Sequence, residues 1–470
     1  MSDSNFTVPK DYFECRASEY KNNTKITPSV FERFNVKRGL RNSDGTGVLA
    51  GVTELCNVHG YLLNEGERMP IDGELAYRGY SINDLVANCK KENRFGFEET
   101  AYLLLMGKLP TEAQLNEFNK VLGSMRFLPE NFTKDLILRV PSANVMNNLA
   151  RAVLALYSYD DLAEDYSLEN NLRQSVQLLA RFPIITAYAY QAKKHFHDKE
   201  SLVIRFPDPE KSTAENILNI IRQDEYTEEE AHLLDIALML HCEHGGGNNS
   251  TFTTRVLTSA GTDIYSTIAG AVSSLKGSKH GGAAVKVVEM MDNIKANVKD
   301  WGSDREITDY LMKILKKQAN DHSGLIYGMG HAVYTKSDPR AVILRQNAET
   351  LAEQRGRLDE LHLMDKVAKI SAELFYELKN GSKIISPNVD FYSGLVYSML
   401  NLPGELYTAL FATARITGWC AHRQEELATG NRIIRPAYKS IATEAKYINI
   451  ADRGETDTAS TELSSLKHIF

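Results

Sequence analysis

Residues 227–241 read TEEEAHLLDIALMLH, and their reading decides the class of fold. Thr227 and Glu230 are spaced as a capping box, S/T-x-x-E, in which each side chain serves the other residue's backbone N–H. Acids fill the first turn, where the positive end of a helix favours them. The later positions are apolar nearly all round, which is the pattern of a helix buried on every side rather than one with a wet face. The same device recurs at 303–317, SDREITDYLMKILKK, with Ser303, Glu306 and terminal lysines that suit the negative end. At 338–354, DPRAVILRQNAETLAEQ, Asp338 is placed as N-cap and Pro339 at the first helical position. Residues 405–427 form a further long helical candidate. β-branched alternation is scarce. Its best instance, near 47–63, predicts a small strand region ending before the glycines and acids of 65–75.

The gross numbers bound what such a helical chain does. With 470 residues, 43% apolar and 24% charged, it can bury a large core without disulfide or metal staples. The net charge of −7 disfavours nucleic acid and anionic membranes, which need a basic surface. Five scattered cysteines without a C-x-x-C point to free thiols in a reducing compartment. The first fifteen residues lack the basic start and apolar core of a secretory leader. No apolar run approaches the length of a membrane span. These readings predict a cytoplasmic protein with no membrane partner. The polar tail from about 449 is expected to fray.

The chemistry-bearing residues gather beside glycine breakers. The buried helix ends in HCEHGGGNNS, residues 241–250, where His244 meets glycines that let backbone approach a ligand; an ordinary glycine cap is the plainer reading. In GSKHGGAA, residues 277–284, His280 stands at a loop-to-helix junction. A helix starting near Gly281 would keep its ring neutral. In LIYGMGHAVYTKSDPR, residues 325–340, His331 follows a loop expected to offer free backbone N–H groups, and the Rossmann spacing is absent. Arg340 sits in a first helical turn against the dipole, which suggests an anionic partner or simple solvation. In SPNVDFYSG, residues 386–394, Asp390 lies among apolar and aromatic neighbours that would raise its pKa, unless it is an ordinary N-cap. Arg415 falls in the apolar run FATARITGW and Arg435 in RIIRPAY; a buried arginine needs a carboxylate from protein or ligand.

Four motifs in order, KHGGA, GMGHAVYxxxDPR, PNVDFYSG and ARxxGW, resemble the citrate synthase family. Tyr77-Arg78-Gly79-Tyr80 with Asp84-Leu85, RFPIITAYAY at 181–190 and Ala214 to Leu218 extend the resemblance over about 47–440. It implies a nearly all-α, two-domain helical fold with a minor β region near the N-terminus. A large domain would comprise 1–280 and 391–470, and a small one 281–390, with hinges at the glycines near 281 and 381. It implies condensation of acetyl-CoA with oxaloacetate and water to citrate and CoA. Asp390 would be the base, His280 the donor to the thioester oxygen and His331 the donor to the ketone. His244, Arg340, Arg415 and Arg435 would hold oxaloacetate, the last from the neighbouring subunit of a homodimer or dimer-based hexamer. Backbone at Leu325, Ile326, Gly328 and Gly330 would cradle the adenine of CoA, with Met329 where an aromatic residue is usual. Lys379 and Lys383 are weak candidates for its phosphates. No resident cofactor or metal is implied, acetyl-CoA being a co-substrate.

Three rivals bear on the same residues. 2-Methylcitrate synthase would use propionyl-CoA with the same groups. A metal-dependent hydrolase could recruit His241, His244, His280, His331 and Asp390, though HExxH is missing. A non-catalytic helical scaffold would have lost catalytic residues, and those matched here are all present.

Overall fold

The computed structural model describes residues 11–42, 45–64, 67–222, 224–381, 384–430 and 432–453, the side chains of 63–68 excepted. The first ten residues, the tail beyond 453 and Lys383 lie outside the described residues, and with them parts of the leader, fraying and phosphate expectations. Helices dominate, beside a single three-stranded sheet among the described residues. Two compact units are present, one of residues 51–434 and one formed by the two chain ends, 1–50 and 435–470.

The larger unit is built on long buried helices. The first, α1 (Leu168–Phe196), carries the RFPIITAYAY stretch and keeps Pro183 inside it, with almost every side chain from Leu178 to Ala192 buried. The second, α2 (Glu228–His241), has the capping box read from its sequence: Thr227 Oγ1 accepts from Glu230 N at 3.2 Å and Glu230 Oε2 from Thr227 N at 2.9 Å. Its side chains from Leu233 to His241 are buried, as the all-round apolar pattern requires. After it come α3 (Asn249–Ser259), α4 (Ala283–Asn297), α5 (Pro339–Gln354), α6 (Val389–Met399) and α7 (Tyr407–Thr429). Asp338 caps α5 and accepts from Arg340 N at 3.0 Å, with Pro339 at the first position. At Ser303 the expected reciprocal cap is half made: Ser303 accepts from Glu306 N, but the Glu306 carboxylate turns to the N–H groups of Lys299 and Asp300.

The sheet departs from the sequence reading. Strand β1 (Cys56–Asn64) pairs antiparallel with β2 (Glu67–Tyr77), and β3 (Tyr80–Ser81) completes it. The glycines and acids of 65–75 thus lie largely in a strand instead of ending one. The physical reason is close approach. A Cβ on Gly73 would fall 2.2 Å from the Ser337 carbonyl oxygen, so only glycine lets β2 pack on the segment leading to α5.

In the unit formed by the chain ends, the helices Tyr12–Asn23 and Pro28–Arg33 bury none of their side chains. Phe13, Leu49 and Tyr438 are 69%, 88% and 94% exposed. Among the described residues, no helix is long and apolar enough to cross a membrane.

Candidate active site

The site grows from the junction of α2 with α7. Gly418, midway along GW-bearing α7, meets the end of α2: its N–H donates to Cys242 O at 3.2 Å, and a Cβ there would fall 2.1 Å from Glu243 Oε2. That approach brings Arg415, one turn earlier, against the turn that carries His244. Arg415 is 0% exposed; its Nε donates to His241 O at 2.7 Å, and Nη1 and Nη2 are buried with no hydrogen-bond partner among the described residues. Burial lowers its pKa, against the opposing charge of Glu243. The charge of Arg415 acts in turn on His244, His280 and Asp390, residues far apart in sequence.

His280 is half-buried before α4, which begins at Ala283 and not near Gly281. Its pKa is pushed down to about 4, by burial and then by Arg415, so the cause differs from the helix end expected from the sequence. The Ser250 N–H points at His280 Nε2 across 3.4 Å, and Ser250 Oγ lies 3.0 Å from the same nitrogen. An N–H donor facing Nε2 makes that nitrogen the acceptor, which places the ring hydrogen on Nδ1. Ser250 Oγ is itself held by Trp419 Nε1 at 3.1 Å and bonds Asn248 Oδ1 at 3.0 Å.

His331 is fixed in the opposite sense. Its Nδ1 accepts from the N–H groups of Val333 at 3.0 Å and Tyr334 at 3.2 Å, so the neutral ring carries its hydrogen on Nε2. The ring lies edge-on to His244, centroids 4.9 Å apart, and stacks on Tyr334 at 4.8 Å. His244 is buried, and burial, Arg340 and His331 together hold its pKa well below the usual range.

Arg340 differs from the open cation read from the sequence. Its guanidinium grips the N-cap carboxylate of Asp338 through Nε at 3.0 Å and Nη2 at 2.7 Å, both side chains being buried. Burial opposes its charge, but Asp338 outweighs that and raises its pKa. The loop before His331 also differs: Gly330 N–H is not free but donates to Ser386 O at 2.7 Å, and Asn388 N donates to Gly328 O at 2.9 Å. Gly328 and Gly330 have φ of +75° and +90°, the left-handed turn this pairing needs. Leu325 is 55% exposed and Ile326 is buried.

Asp390 is not the N-cap of α6; Asn388 is, accepting from Asp390 N at 3.0 Å. Asp390 itself is half-buried, and burial raises its pKa to about 6 against the lowering influence of Arg340. His244, His280, Arg340, Arg415 and Asp390 are therefore one electrostatic neighbourhood, with His331 in ring contact with His244. Arg435 is exposed and belongs to the unit of the chain ends. Sequence reading missed Ser250, Tyr334, Trp419 and the buried pair of Glu243 and His422, 2.9 Å apart. Ser250 and Tyr334 stand inside quoted motifs, and their signal was a hydroxyl a few residues after a histidine of the site. Among the described residues, no group of three or more His, Cys, Asp or Glu is placed to hold a metal ion.

The family model described as "Citrate synthase, C-terminal domain" matches residues 43–437. A citrate synthase of Corynebacterium glutamicum is 34% identical over 80% of this chain and 83% of its own length. A 2-methylcitrate synthase of Shewanella oneidensis is 32% identical over 81% of the chain and 92% of its own. Among solved structures, the ternary complex of carboxymethyl coenzyme A and oxaloacetate with citrate synthase from Thermoplasma acidophilum superposes with a TM-score of 0.73 at 28% identity, covering 89% of this chain and 99% of that one.

Proposed function

The chain belongs to the citrate synthase family, and from that premise we propose that Asp390, His280 and His331 carry its chemistry, with His244, Arg340 and Arg415 holding the keto-diacid. The reaction is the condensation of acetyl-CoA with oxaloacetate and water to citrate and CoA, an acyl transfer by an enzyme of the tricarboxylic acid cycle. The observation that supports these roles best is the buried Arg415 fork, whose two terminal nitrogens have no hydrogen-bond partner among the described residues while its charge reaches His244, His280 and Asp390. Burying a guanidinium costs several kcal/mol, which a bidentate carboxylate offsets only where the geometry is good and the remaining N–H groups are satisfied.

The thioester methyl is a very weak carbon acid, so its proton leaves only if the enolate oxygen is stabilised at the same moment. Asp390 takes the proton; a pKa near 6 makes it a stronger base than an exposed carboxylate while leaving it ionised at neutral pH. His280 donates from Nδ1 to the thioester oxygen, neutral because burial and Arg415 disfavour its charge. The nucleophilic carbon attacks the ketone of oxaloacetate, polarised by the Nε2–H of His331. Water then hydrolyses the citryl thioester. Side chains supply every step, and acetyl-CoA is a co-substrate, its adenine seated on the 325–330 loop by Leu325, Ile326, Gly328 and Gly330.

Oxaloacetate binds first, and residues 281–390 close on the rest before the methyl is deprotonated. Homodimers, alone or grouped as hexamers, supply Arg435 from the neighbouring subunit; the large apolar side chains exposed by the unit of the chain ends are what a second copy would cover. Five cysteines, all free, suit a cytoplasmic setting.

The test is CoA thiol release with oxaloacetate plus either acetyl-CoA or propionyl-CoA, compared as kcat/KM. Similarity to a 2-methylcitrate synthase gives the second arm its reason, since one methylene is worth only about 1–3 kcal/mol of discrimination. A preference for propionyl-CoA would replace the acetyl reading; no thiol release with either would end both.

A further inference from the structure

Tyr334 is buried, 1% exposed, between the two imidazoles proposed to face oxaloacetate. Its ring stacks on His331 at an interplanar angle of 28° and meets His244 edge-on at 5.4 Å. The small sheet forms its seat. A Cβ on Gly73 in β2 would fall 2.7 Å from Tyr334 Cδ1, and one on Gly60 in β1 would fall 3.0 Å from Tyr334 Cα. Two strand glycines, each of which weakens its strand, thus leave room for one tyrosine. Ser337 fastens the same segment to β2, accepting from Gly73 N at 3.1 Å and bonding Asp72 Oδ1 at 3.1 Å.

The hydroxyl has two partners at equal range, the Glu74 carbonyl oxygen at 3.3 Å and His244 Nε2 at 3.3 Å. A carbonyl only accepts, and a hydroxyl has one proton to give. If it is given to Glu74, the hydroxyl oxygen accepts from a hydrogen on Nε2, and the Nδ1 of His244 is left as a lone pair. If it is given to Nε2, the hydrogen of His244 must sit on Nδ1. Among the described residues Nδ1 of His244 makes no hydrogen bond. Oxaloacetate presents oxygen acceptors, so only the second arrangement binds it.

We propose that Tyr334 is a positioning residue whose hydroxyl, seated by Gly60 and Gly73, selects the Nδ1–H tautomer of His244 when oxaloacetate binds, by turning from the Glu74 carbonyl to Nε2. The proposal rests on the reading of His244 as an oxaloacetate ligand. Burial keeps the phenol protonated, because its pKa is raised, and keeps His244 neutral, so the hydroxyl remains a donor and the ring a single-proton group through the working range. The backbone N–H of Tyr334 also fixes the tautomer of His331, so one residue orients both imidazoles, as outer-shell partners do for metal-bound histidines.

The experiment compares Tyr334→Phe with His244→Gln and the unaltered protein in steady-state kinetics. Tyr334→Phe keeps the ring and its seat. It is expected to raise the KM for oxaloacetate about tenfold, the worth of one buried hydrogen bond, and to leave the KM for acetyl-CoA within about twofold. An oxaloacetate KM within about twofold of the parent in a folded Tyr334→Phe protein overturns the proposal. His244→Gln separates the two levels: if it leaves oxaloacetate binding unchanged, the His244 reading itself fails, whereas weakening there with none in Tyr334→Phe sinks the tyrosine alone. The imidazole 15N spectrum of the unaltered protein needs no folded phenylalanine variant. With oxaloacetate bound, the His244 signal, assigned by its loss in His244→Gln, is expected to report hydrogen on Nδ1; hydrogen on Nε2 contradicts the proposal.

Discussion

Asn388 Nδ2 donates to the carbonyl oxygen of Gly330 across 3.0 Å, and so ties the residue before His331 to the cap of the helix that carries Asp390. Gly330 N to Ser386 O and Asn388 N to Gly328 O reinforce that tie. The groups proposed as base and as ketone donor therefore stand on one short pair of backbone segments, and whatever displaces one displaces the other.

The pH profile follows from the two shifted groups. Asp390, raised to about 6, is protonated below that pH and ceases to be a base; His280, lowered to about 4, stays neutral well below it. The acid limb of kcat/KM, which reports the free enzyme, is expected to fall roughly tenfold per pH unit below about 6, with no second limb until near 4. Stopped-time assays across that range in constant ionic strength check it, and a rate flat down to pH 4.5 contradicts the assignment.

Arg415→Leu removes a buried cation whose two terminal nitrogens have no hydrogen-bond partner among the described residues. Saturating oxaloacetate raises the Tm of the unaltered protein by mass action, and the variant is expected to lose that rise. Its KM for oxaloacetate should increase at least about thirtyfold, from about 2 kcal/mol or more for truncating a buried charge pair. Differential scanning with and without oxaloacetate reads the first effect, and steady-state kinetics the second.

Arg340→Ala breaks a buried pair and leaves Asp338 uncompensated, at a cost of about 3–5 kcal/mol. Adding Asp338→Asn should recover part of that stability without restoring oxaloacetate affinity. Urea unfolding and oxaloacetate titration of both variants separate the structural role of the pair from its binding role.

Gly418→Ala should act at a distance from the substrate. The new methyl would meet Glu243 Oε2 and Cys242 O, which lie 2.1 and 2.5 Å from its ideal place. Pushing α7 off α2 is expected to cost about 1–3 kcal/mol and to raise the KM for oxaloacetate by shifting the turn that holds His244. Tm and KM measured on the same preparation check it.

The sequence carried the helices whose signals are local. The Thr227 and Glu230 box and the Asp338-Pro339 start are fixed by neighbours three residues apart or fewer, so reading them needs no tertiary knowledge. The ordered motifs likewise led to His280, His331 and Asp390. What could not be read was set by distant partners. Gly73 is in a strand because Ser337 packs on it, and Arg340 keeps its near neighbour Asp338 as a partner because the packing of distant segments buries both side chains. His280 is neutral chiefly because burial strips its water, and only secondarily because Arg415 is near. Ser250 and Tyr334 were quoted as motif letters, but their roles exist only where the chain brings imidazoles to them.

Asp390→Ala, measured for CoA release at saturating substrates and for oxaloacetate binding by calorimetry, tests the central claim most directly. Loss of the general base is expected to lower turnover by about 10³-fold or more with the affinity for oxaloacetate within about threefold of the parent. Turnover near the parent's would show that some other group takes the methyl proton and would contradict the assignment.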